Sequence, residues 1–302
     1  MGDVKDSAVS SDGAVSSTSR LVVFLAVAFG LAWLLWGIAW MLGFQTTEPS
    51  TIALVTASMF TPGIGALLAS WPLSRRALAT LGLRLGKRRY YLLTLGLMPI
   101  LLAAGESVAV LLGIQRLNGD FTVLKELAAR SSAPLPDPSL LVPQILLPAL
   151  TIQPLINAVF GLGEELGWRG YLLNRLLPLG ASRAAVLVGL IWGVWHAPII
   201  VMGWNYPGHP VLGPPLMVVL TVIFGVIFAW LRLRSQSVLM PALAHGALNA
   251  QAGAFSLFFT RPDPLLGAPV GLAILVPAGI FAAWLVMSRR LSAFPGLADE
   301  AG

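Results

Sequence analysis

Residues 152–177, IQPLINAVFGLGEELGWRGYLLNRLL, form an apolar run long enough to cross a membrane, yet two adjacent glutamates lie near its centre. A hydrocarbon core of about 30 Å requires about 20 predominantly apolar residues in a helix. The whole chain is similarly apolar, because 57% of its 302 residues are hydrophobic, only 11% are charged and the mean hydropathy is +0.82. Soluble domains are far less apolar, so the sequence predicts an all-α polytopic membrane helical bundle.

Seven further runs of similar length predict about eight transmembrane helices in total. Residues 139–150 are interrupted by Pro143 and Pro148, and we expect them to lie at the membrane interface as a lead-in to the fourth span. Residues 116–139, which include SSAPLPDPS, are predicted to form an extended external loop. The eight predicted spans are residues 21–43, 51–71, 90–115, 152–177, 184–202, 216–231, 238–259 and 265–287.

The positions of Lys and Arg predict the orientation of the bundle, because cytoplasmic loops carry an excess of these residues. With eight spans, fifteen of the 19 basic residues fall on the side that holds both termini. Both termini are therefore predicted to be cytoplasmic, and the abundance of Ala, Leu and Gly suggests a bacterial inner (plasma) membrane. The net charge of +6 then reflects orientation and contact with anionic lipids, not nucleic-acid binding. The basic residues on the other side are Arg116, Lys125, Arg130 and Arg261.

Four polar side chains on three predicted spans share one depth. Counted from the cytoplasmic ends of their spans at about 1.5 Å per residue, Glu164 and His196 lie about 19 Å deep, and His245 and Asn249 about 12 and 18 Å. Ionisable groups inside a membrane cost about 2.5–3.5 kcal/mol each, so their presence indicates function. The chain has no cysteine, so any catalysis must use oxygen and nitrogen groups.

Helical spacing predicts different partners for the two glutamates. Glu165 and Arg169 are four residues apart, in the favourable order for an ion pair, whereas Glu164 is rotated by about 100° from Glu165. Glu164 is therefore predicted to face a cavity, where it can act as a general base or acid. His245 and Asn249 are also four residues apart, so they share one face of their helix.

A structural role is the alternative for each of these residues, because polar groups between membrane helices form hydrogen bonds worth about 0.6 kcal/mol each. We expect His209, in the external loop NYPGHP, to be structural. Glu106, in the third span, is predicted to be structural too, although it has two other options: pairing with Arg169 or lining the cavity. Three tryptophans are predicted to form cavity walls: Trp168, Trp192 and Trp195.

Three short motifs follow one another in these spans. EELGWR (164–169) fits EExxxR, WGVWH (192–196) fits a degenerate FxxxH, and HGALN (245–249) fits HxxxN. In this order they resemble the CPBP family of intramembrane proteases. That family includes the Ras-converting, type II CAAX prenyl protease and bacterial bacteriocin-processing and self-immunity proteins. The resemblance covers residues 152–251, about a third of the chain. Trp192 replaces the usual Phe, which keeps an aromatic wall.

The resemblance implies a catalytic role for each motif residue. Glu164 and His196 would activate a water molecule, and His245 and Asn249 would stabilise the oxyanion. Glu165, Arg169 and Trp192 would support these groups. In the alternative mechanism, Glu164, His196 and His245 bind Zn²⁺, as in a metalloprotease. No HExxH motif is present, and water activation without a metal is the favoured prediction.

The sequence therefore predicts an intramembrane endopeptidase, a hydrolase of the cell membrane. Its substrate would be a membrane-associated protein or peptide, lipidated or membrane-embedded, reaching a cavity that opens laterally or towards the cytoplasm. A transporter or a non-proteolytic bacteriocin-immunity or interaction protein, built on the same polar cluster, is the alternative. The predicted regions are a disordered cytoplasmic tail (1–20), N-terminal transmembrane helices with the interfacial segment (21–151), a CAAX-protease-like catalytic core (152–251), and a C-terminal transmembrane helix with its tail (252–302).

Overall fold

The structure, a computed structural model, describes residues 17–46, 48–131 and 137–291. Within these ranges the chain is helical, and the only β-type pairing is a single bridge between Leu117 and Phe259. Five helical stretches of the described chain are long and apolar enough to cross a membrane: Thr18–Met41, Pro49–Ala69, Arg89–Leu111, Leu140–Leu179 and Gly213–Ser235. Two shorter apolar helices, Ala181–Trp195 and Leu272–Met287, accompany them. The predicted all-α, polytopic membrane bundle is confirmed.

Fourteen α-helices are described, together with a π-helix (Leu166–Leu172) and a 3-10 turn (Leu177–Leu179). The α-helices are α1 (Ser17–Met41), α2 (Pro49–Ser58), α3 (Thr61–Ala69), α4 (Arg75–Leu81), α5 (Arg89–Leu111), α6 (Thr122–Ser131), α7 (Pro138–Leu150), α8 (Ile152–Glu165), α9 (Leu173–Leu176), α10 (Ala181–Trp195), α11 (Ala197–Val201), α12 (Gly213–Ser235), α13 (Leu239–Ser256) and α14 (Leu272–Met287).

Each of the eight predicted spans falls on helix, but three of them are interrupted. The second span divides into α2 and α3, and the fourth continues from α8 through the π-helix into α9. The fifth divides at His196 into α10 and α11, because Pro198 has no N–H to continue the hydrogen bonds of α10. These interruptions matter for function, since two of them lie beside the predicted catalytic residues.

Several boundaries differ from the sequence-based prediction. The predicted external loop 116–139 contains helix α6, and residues 132–136 lie outside the described residues. Segment 139–150 forms the continuous helix α7 in spite of Pro143 and Pro148. The last four residues of the predicted tail belong to α1, while residues 1–16 and 292–302 lie outside the described residues. Helix α14 begins seven residues later than predicted.

Helices α8 and α13 are in near-backbone contact, and this brings two of the motifs together. A Cβ atom on Gly246 would lie 2.3 Å from the backbone nitrogen of Ala158 and 2.5 Å from the carbonyl oxygen of Pro154. A Cβ on Gly161 would lie 2.9 Å from the carbonyl oxygen of Ala242. Small residues at such crossings allow membrane helices to pack closely.

One end of the bundle is strongly basic, and we call it the cationic end. Here Arg84 Nε donates to the carbonyl oxygen of Gln236 over 2.6 Å, and Arg234 Nε donates to that of Arg290 over 2.9 Å. These bonds place the segment after α4, the end of α12 and the end of α14 side by side. Further basic residues of the same segments are Arg75, Arg76, Lys87, Arg88, Arg89 and Arg232.

At the opposite end of the bundle, hydrogen bonds connect the segment after α11 with the one before α14, and the segment after α5 with the one after α13. The Tyr206 hydroxyl donates to the carbonyl oxygen of Val270 over 2.8 Å, and the backbone nitrogen of Asn118 donates to that of Phe258 over 2.8 Å. Basic and acidic residues are balanced in these segments, unlike at the cationic end. They are Arg116, Asp120, Lys125, Glu126, Arg130, Asp137, Arg261 and Asp263.

The close crossing of α8 and α13 predicts that Gly246→Ala destabilises the protein by about 1–3 kcal/mol, because the new methyl group overlaps backbone atoms of α8. Thermal unfolding in detergent measures the effect. Gly96→Ala, on α5, is the matched control, since no atom lies within 4 Å of a Cβ built there. Equal stability of the two variants would contradict this packing.

Candidate active site

The four residues predicted to be catalytic line one cavity of about 560 Å³. Glu164 comes from α8, His196 from the junction of α10 and α11, and His245 and Asn249 from α13. Trp192, predicted to support them, lines the same cavity. Residues that are distant in the sequence are therefore brought together inside the helical bundle.

Glu164 is buried, and two indole N–H groups hold its carboxylate. Trp192 Nε1 donates to Glu164 Oε2 over 2.6 Å, and Trp168 Nε1 donates to the same oxygen over 3.3 Å. Hydrogen bonds to a carboxylate are charge-assisted, so they fix its orientation. Both described bonds use Oε2, which leaves Oε1 for a water molecule in the cavity.

The three tryptophans were predicted to be cavity walls, and this is correct for two of them. Trp192 and Trp195 line the cavity, whereas Trp168 is fully buried behind Glu164. The hydrogen bond from Trp168 to Glu164 could have been predicted from sequence. The two residues are four positions apart, and such residues are neighbours on a helix. The contact of Trp192 joins two helices, so no such spacing predicts it.

His196 occupies the break between α10 and α11. Its Nδ1 lies 2.9 Å from the carbonyl oxygen of Trp192. A carbonyl oxygen can only accept, so Nδ1 is the protonated nitrogen of the neutral ring and Nε2 is free to accept a proton. The ring centroid lies 4.7 Å from that of Trp195 and 5.7 Å from that of Trp192. These contacts therefore fix the orientation of the His196 ring in the cavity.

Glu165 forms a buried cluster with Arg169 and His245. Arg169 Nη1 donates to Glu165 Oε1 over 2.8 Å, and His245 Nδ1 lies 3.0 Å from the same oxygen. The ion pair expected from the spacing of Glu165 and Arg169 is present, with both side chains fully buried. The contact with His245 joins α8 to α13. Because Nδ1 of His245 contacts Glu165, the other ring nitrogen, Nε2, points away from Glu165.

The Arg169 guanidinium is also covered by two aromatic rings. Its central carbon lies 4.4 Å from the Trp192 ring centroid and 5.1 Å from that of Phe228. Cations are attracted to aromatic faces, most strongly where water is excluded. Trp192 thus contacts the Glu164 carboxylate, the Arg169 guanidinium and the rings of His196 and His245, the last at a centroid distance of 5.5 Å.

Two amide side chains contribute to the cavity. Asn249 lies one turn beyond His245 on α13, as its spacing predicted, and is exposed to the open part of the cavity. Asn157 also lines the cavity and was missed. Its position seven residues before Glu164 places both side chains on the same face of α8, two turns apart, and this spacing could have identified it.

The zinc hypothesis assigns Glu164, His196 and His245 as metal ligands. The donor types suit zinc, and each histidine ring is oriented through Nδ1 by an oxygen acceptor, as zinc-binding histidines usually are. The arrangement does not fit, however. In the part of the chain that the structure describes, no three His, Asp or Glu side chains are grouped closely enough to hold a metal ion.

Glu106 and His209 lie outside the site. Glu106 is buried on α5 and accepts a hydrogen bond from the side-chain amide of Gln115. It is not among the residues that line the cavity, and the ion pair of Arg169 is made with Glu165. His209 Nε2 lies 3.2 Å from Asp263 Oδ2 in the loops at the opposite end of the bundle.

The cavity extends from the site towards the opposite end. Its far walls are formed by Trp204 and Asn205, after α11, and by Pro269 and Val270, before α14. No lining residue comes from the segments that form the cationic end. The predicted opening, lateral or towards the cytoplasm, stays a prediction, while the lining residues place the cavity on the side of the site away from the cationic end.

The buried cluster predicts that Arg169→Met destabilises the protein by about 3–5 kcal/mol, because it leaves the Glu165 carboxylate buried without its cation. Thermal or denaturant unfolding in detergent measures the loss. Arg183→Met is the control, since Arg183 is exposed on α10 and its removal is expected to change stability by less than about 0.5 kcal/mol. Equal stability of both variants would show that the ion pair is not formed.

Part of the chain is similar to known proteases. A curated relative, CAAX prenyl protease 2 of Methanococcus maripaludis, is 28% identical over 93 residues. That stretch is 28% of this chain and 34% of the relative, so the chain spans about a third of the relative's length. Residues 144–251 match the family described as type II CAAX prenyl endopeptidase, Rce1-like. The resemblance carried by the three motifs is confirmed for this segment, which is similar to the CPBP, Rce1-like family.

Proposed function

We propose that the protein is an intramembrane endopeptidase that hydrolyses a peptide bond of a membrane-associated protein or peptide. The observation that carries this proposal is the single cavity lined by Glu164, His196, His245 and Asn249. A carboxylate, two imidazoles and an amide supply a base, an acid and hydrogen-bond donors, which are the groups that peptide hydrolysis needs. The match to the Rce1-like family supports the same reaction.

In the proposed first step, a water molecule lies between Glu164 Oε1 and His196 Nε2. One of these groups removes a proton from the water, and the resulting hydroxide attacks the carbonyl carbon of the substrate. The indole N–H groups of Trp192 and Trp168 hold Oε2 of the carboxylate, so Oε1 has a fixed direction. In our proposal, these protein groups activate the water without a metal ion.

The carbonyl oxygen becomes negatively charged during the attack. In our proposal, His245 Nε2–H and the Asn249 amide donate to this oxygen. The Glu165 carboxylate on Nδ1 stabilises the protonated form of His245, which is the form that donates from Nε2. Each well-placed donor of this kind contributes about 10²–10³-fold in rate. The proton taken from water then passes to the leaving nitrogen as the C–N bond breaks.

Glu165 and Arg169 are proposed to be positioning residues. They contact His245 and the aromatic rings of the site but do not line the cavity. Arg169 neutralises the second glutamate, so that adjacent carboxylates do not repel each other in a medium of low dielectric constant. The excess of basic residues at the cationic end supports a cytoplasmic location for that end, in a bacterial inner membrane.

We expect Glu164→Gln to reduce peptide cleavage by at least about 10²–10⁴-fold, because the amide cannot accept the proton of water. Cleavage of a peptide library by purified protein measures the effect. Glu126→Gln is the matched control on the surface, since Glu126 is exposed and pairs with exposed Arg261 outside the cavity. Full activity of the Glu164→Gln variant would eliminate this residue as the base.

Metal removal distinguishes the two mechanisms. We expect cleavage to continue after exhaustive chelation, with less than about 0.1 zinc per chain by elemental analysis, because protein groups alone activate the water. A chelated sample that loses activity and recovers it with added Zn²⁺ would instead assign Glu164, His196 and His245 as ligands.

A further inference from the structure

We infer that substrate reaches the site from the end opposite the cationic end, and that it is an internal peptide segment presented on the extracytoplasmic side of the membrane. This inference rests on the proposed function, which it extends by naming the substrate class and its route. Three features carry it: the course of the cavity along the helices, the closure behind the site, and the chemistry of the lining.

The cavity follows only the half of each helix that lies towards the opposite end. On α12 its lining residues fall between Met217 and Phe224, in the first half of the helix. On α13 they fall between His245 and Ser256, in the part beyond the motif histidine. Helix α12 begins and helix α13 ends at the opposite end. On both helices the cavity therefore extends from the site towards that end.

The space between the site and the cationic end is filled by side chains. Trp168, Arg169, Phe228 and Leu231 have no exposed surface, and none of them lines the cavity. They include the side chains that hold the catalytic glutamate and cover the arginine. An opening on this side would have to disrupt the Glu165–Arg169 cluster, which is costly because it would expose a buried ion pair to lipid or leave it unpaired.

The charges of the two ends identify which side of the membrane each faces. The cationic end carries the basic residues of α4, the segment after α4, α12 and the segment after α14, whereas the described loops of the opposite end are balanced. Basic residues are retained on the cytoplasmic side. The cavity mouth, where Asn205 is exposed, therefore faces the extracytoplasmic side or the outer leaflet.

The lining indicates what kind of segment enters. Among the described residues that line the cavity, no Lys or Arg is present to bind a chain-terminal carboxylate, and Glu164 is the only acid. Three amides, Asn157, Asn205 and Asn249, can bond to an extended peptide backbone. The remaining wall is mainly apolar and aromatic. This combination favours an uncharged internal stretch with apolar side chains over a charged C-terminus.

Single-cysteine variants test the route directly, because the chain contains no cysteine. Arg76→Cys marks the cationic end, Asn205→Cys the cavity mouth, and Pro210→Cys an exposed loop position outside the cavity. A membrane-impermeant maleimide applied to intact cells should label the variants at 205 and 210 but not the variant at 76. Inverted membrane vesicles should give the reverse pattern. Labelling of Arg76→Cys in intact cells, with Pro210→Cys protected, would overturn the extracytoplasmic route.

Cleavage by the purified variants tests entry itself. Complete labelling of Asn205→Cys with a bulky maleimide should reduce peptide cleavage at least tenfold relative to the same unlabelled variant. Labelling of Pro210→Cys or Arg76→Cys should change cleavage less than twofold. Undiminished cleavage by fully labelled Asn205→Cys would overturn this entrance.

The two proposals fail in different ways. If Glu164→Gln retains activity while labelling at Asn205 still blocks cleavage, the catalytic assignment is wrong and the route stands. If Glu164→Gln is inactive but labelling at Asn205 has no effect, the route is wrong and the catalytic assignment stands. An unmodified protein without any cleavage overturns the proposed function, while the pattern of labelling still decides which side the mouth faces.

Discussion

Two adjacent carboxylates buried in a membrane bundle are the constraint on which this structure depends. Each unpaired charge there costs several kcal/mol, so neighbouring glutamates persist only if each has its own partners. Glu165 has a cation and an imidazole, and Glu164 has two indole N–H groups. This division leaves Oε1 of Glu164 outside the two indole bonds, which is the oxygen that the proposed mechanism uses. It also explains why Trp192 is central, since the same side chain holds Glu164 and covers Arg169.

The polar cluster requires helices that approach closely, and small residues provide this approach. Gly161 and Gly246 bring α8 and α13 into backbone contact, so that His245 reaches Glu165 across the interface. The break at Pro198 ends α10 at His196 and directs its ring into the cavity. The geometry of the site thus follows from a few glycines and a proline, while the apolar residues around it exclude water and strengthen each electrostatic contact.

Much of this arrangement could be predicted from sequence. Length and hydropathy located the helices, and the depth of the four polar residues with the three motifs indicated their convergence. Contacts across helices could not be predicted in the same way, because spacing along one helix says nothing about a neighbour: the bond from Trp192 to Glu164 and the partner of Glu106 are examples. The course of the cavity along the helices could not be predicted either. It depends on which large side chains, such as Trp168 and Phe228, fill the space behind the site.

The central claim is that three helices surround one water-holding cavity with Glu164, His196, His245 and Asn249. An experimental structure in lipid, at a resolution that shows ordered water, tests this most directly. We predict a water molecule about 2.6–3.2 Å from both Glu164 Oε1 and His196 Nε2, with His245 and Asn249 on the opposite side of the space that a peptide carbonyl would occupy. A density map in which the Glu164 carboxylate faces acyl chains, or in which the two histidines lie in separate cavities, would contradict the account.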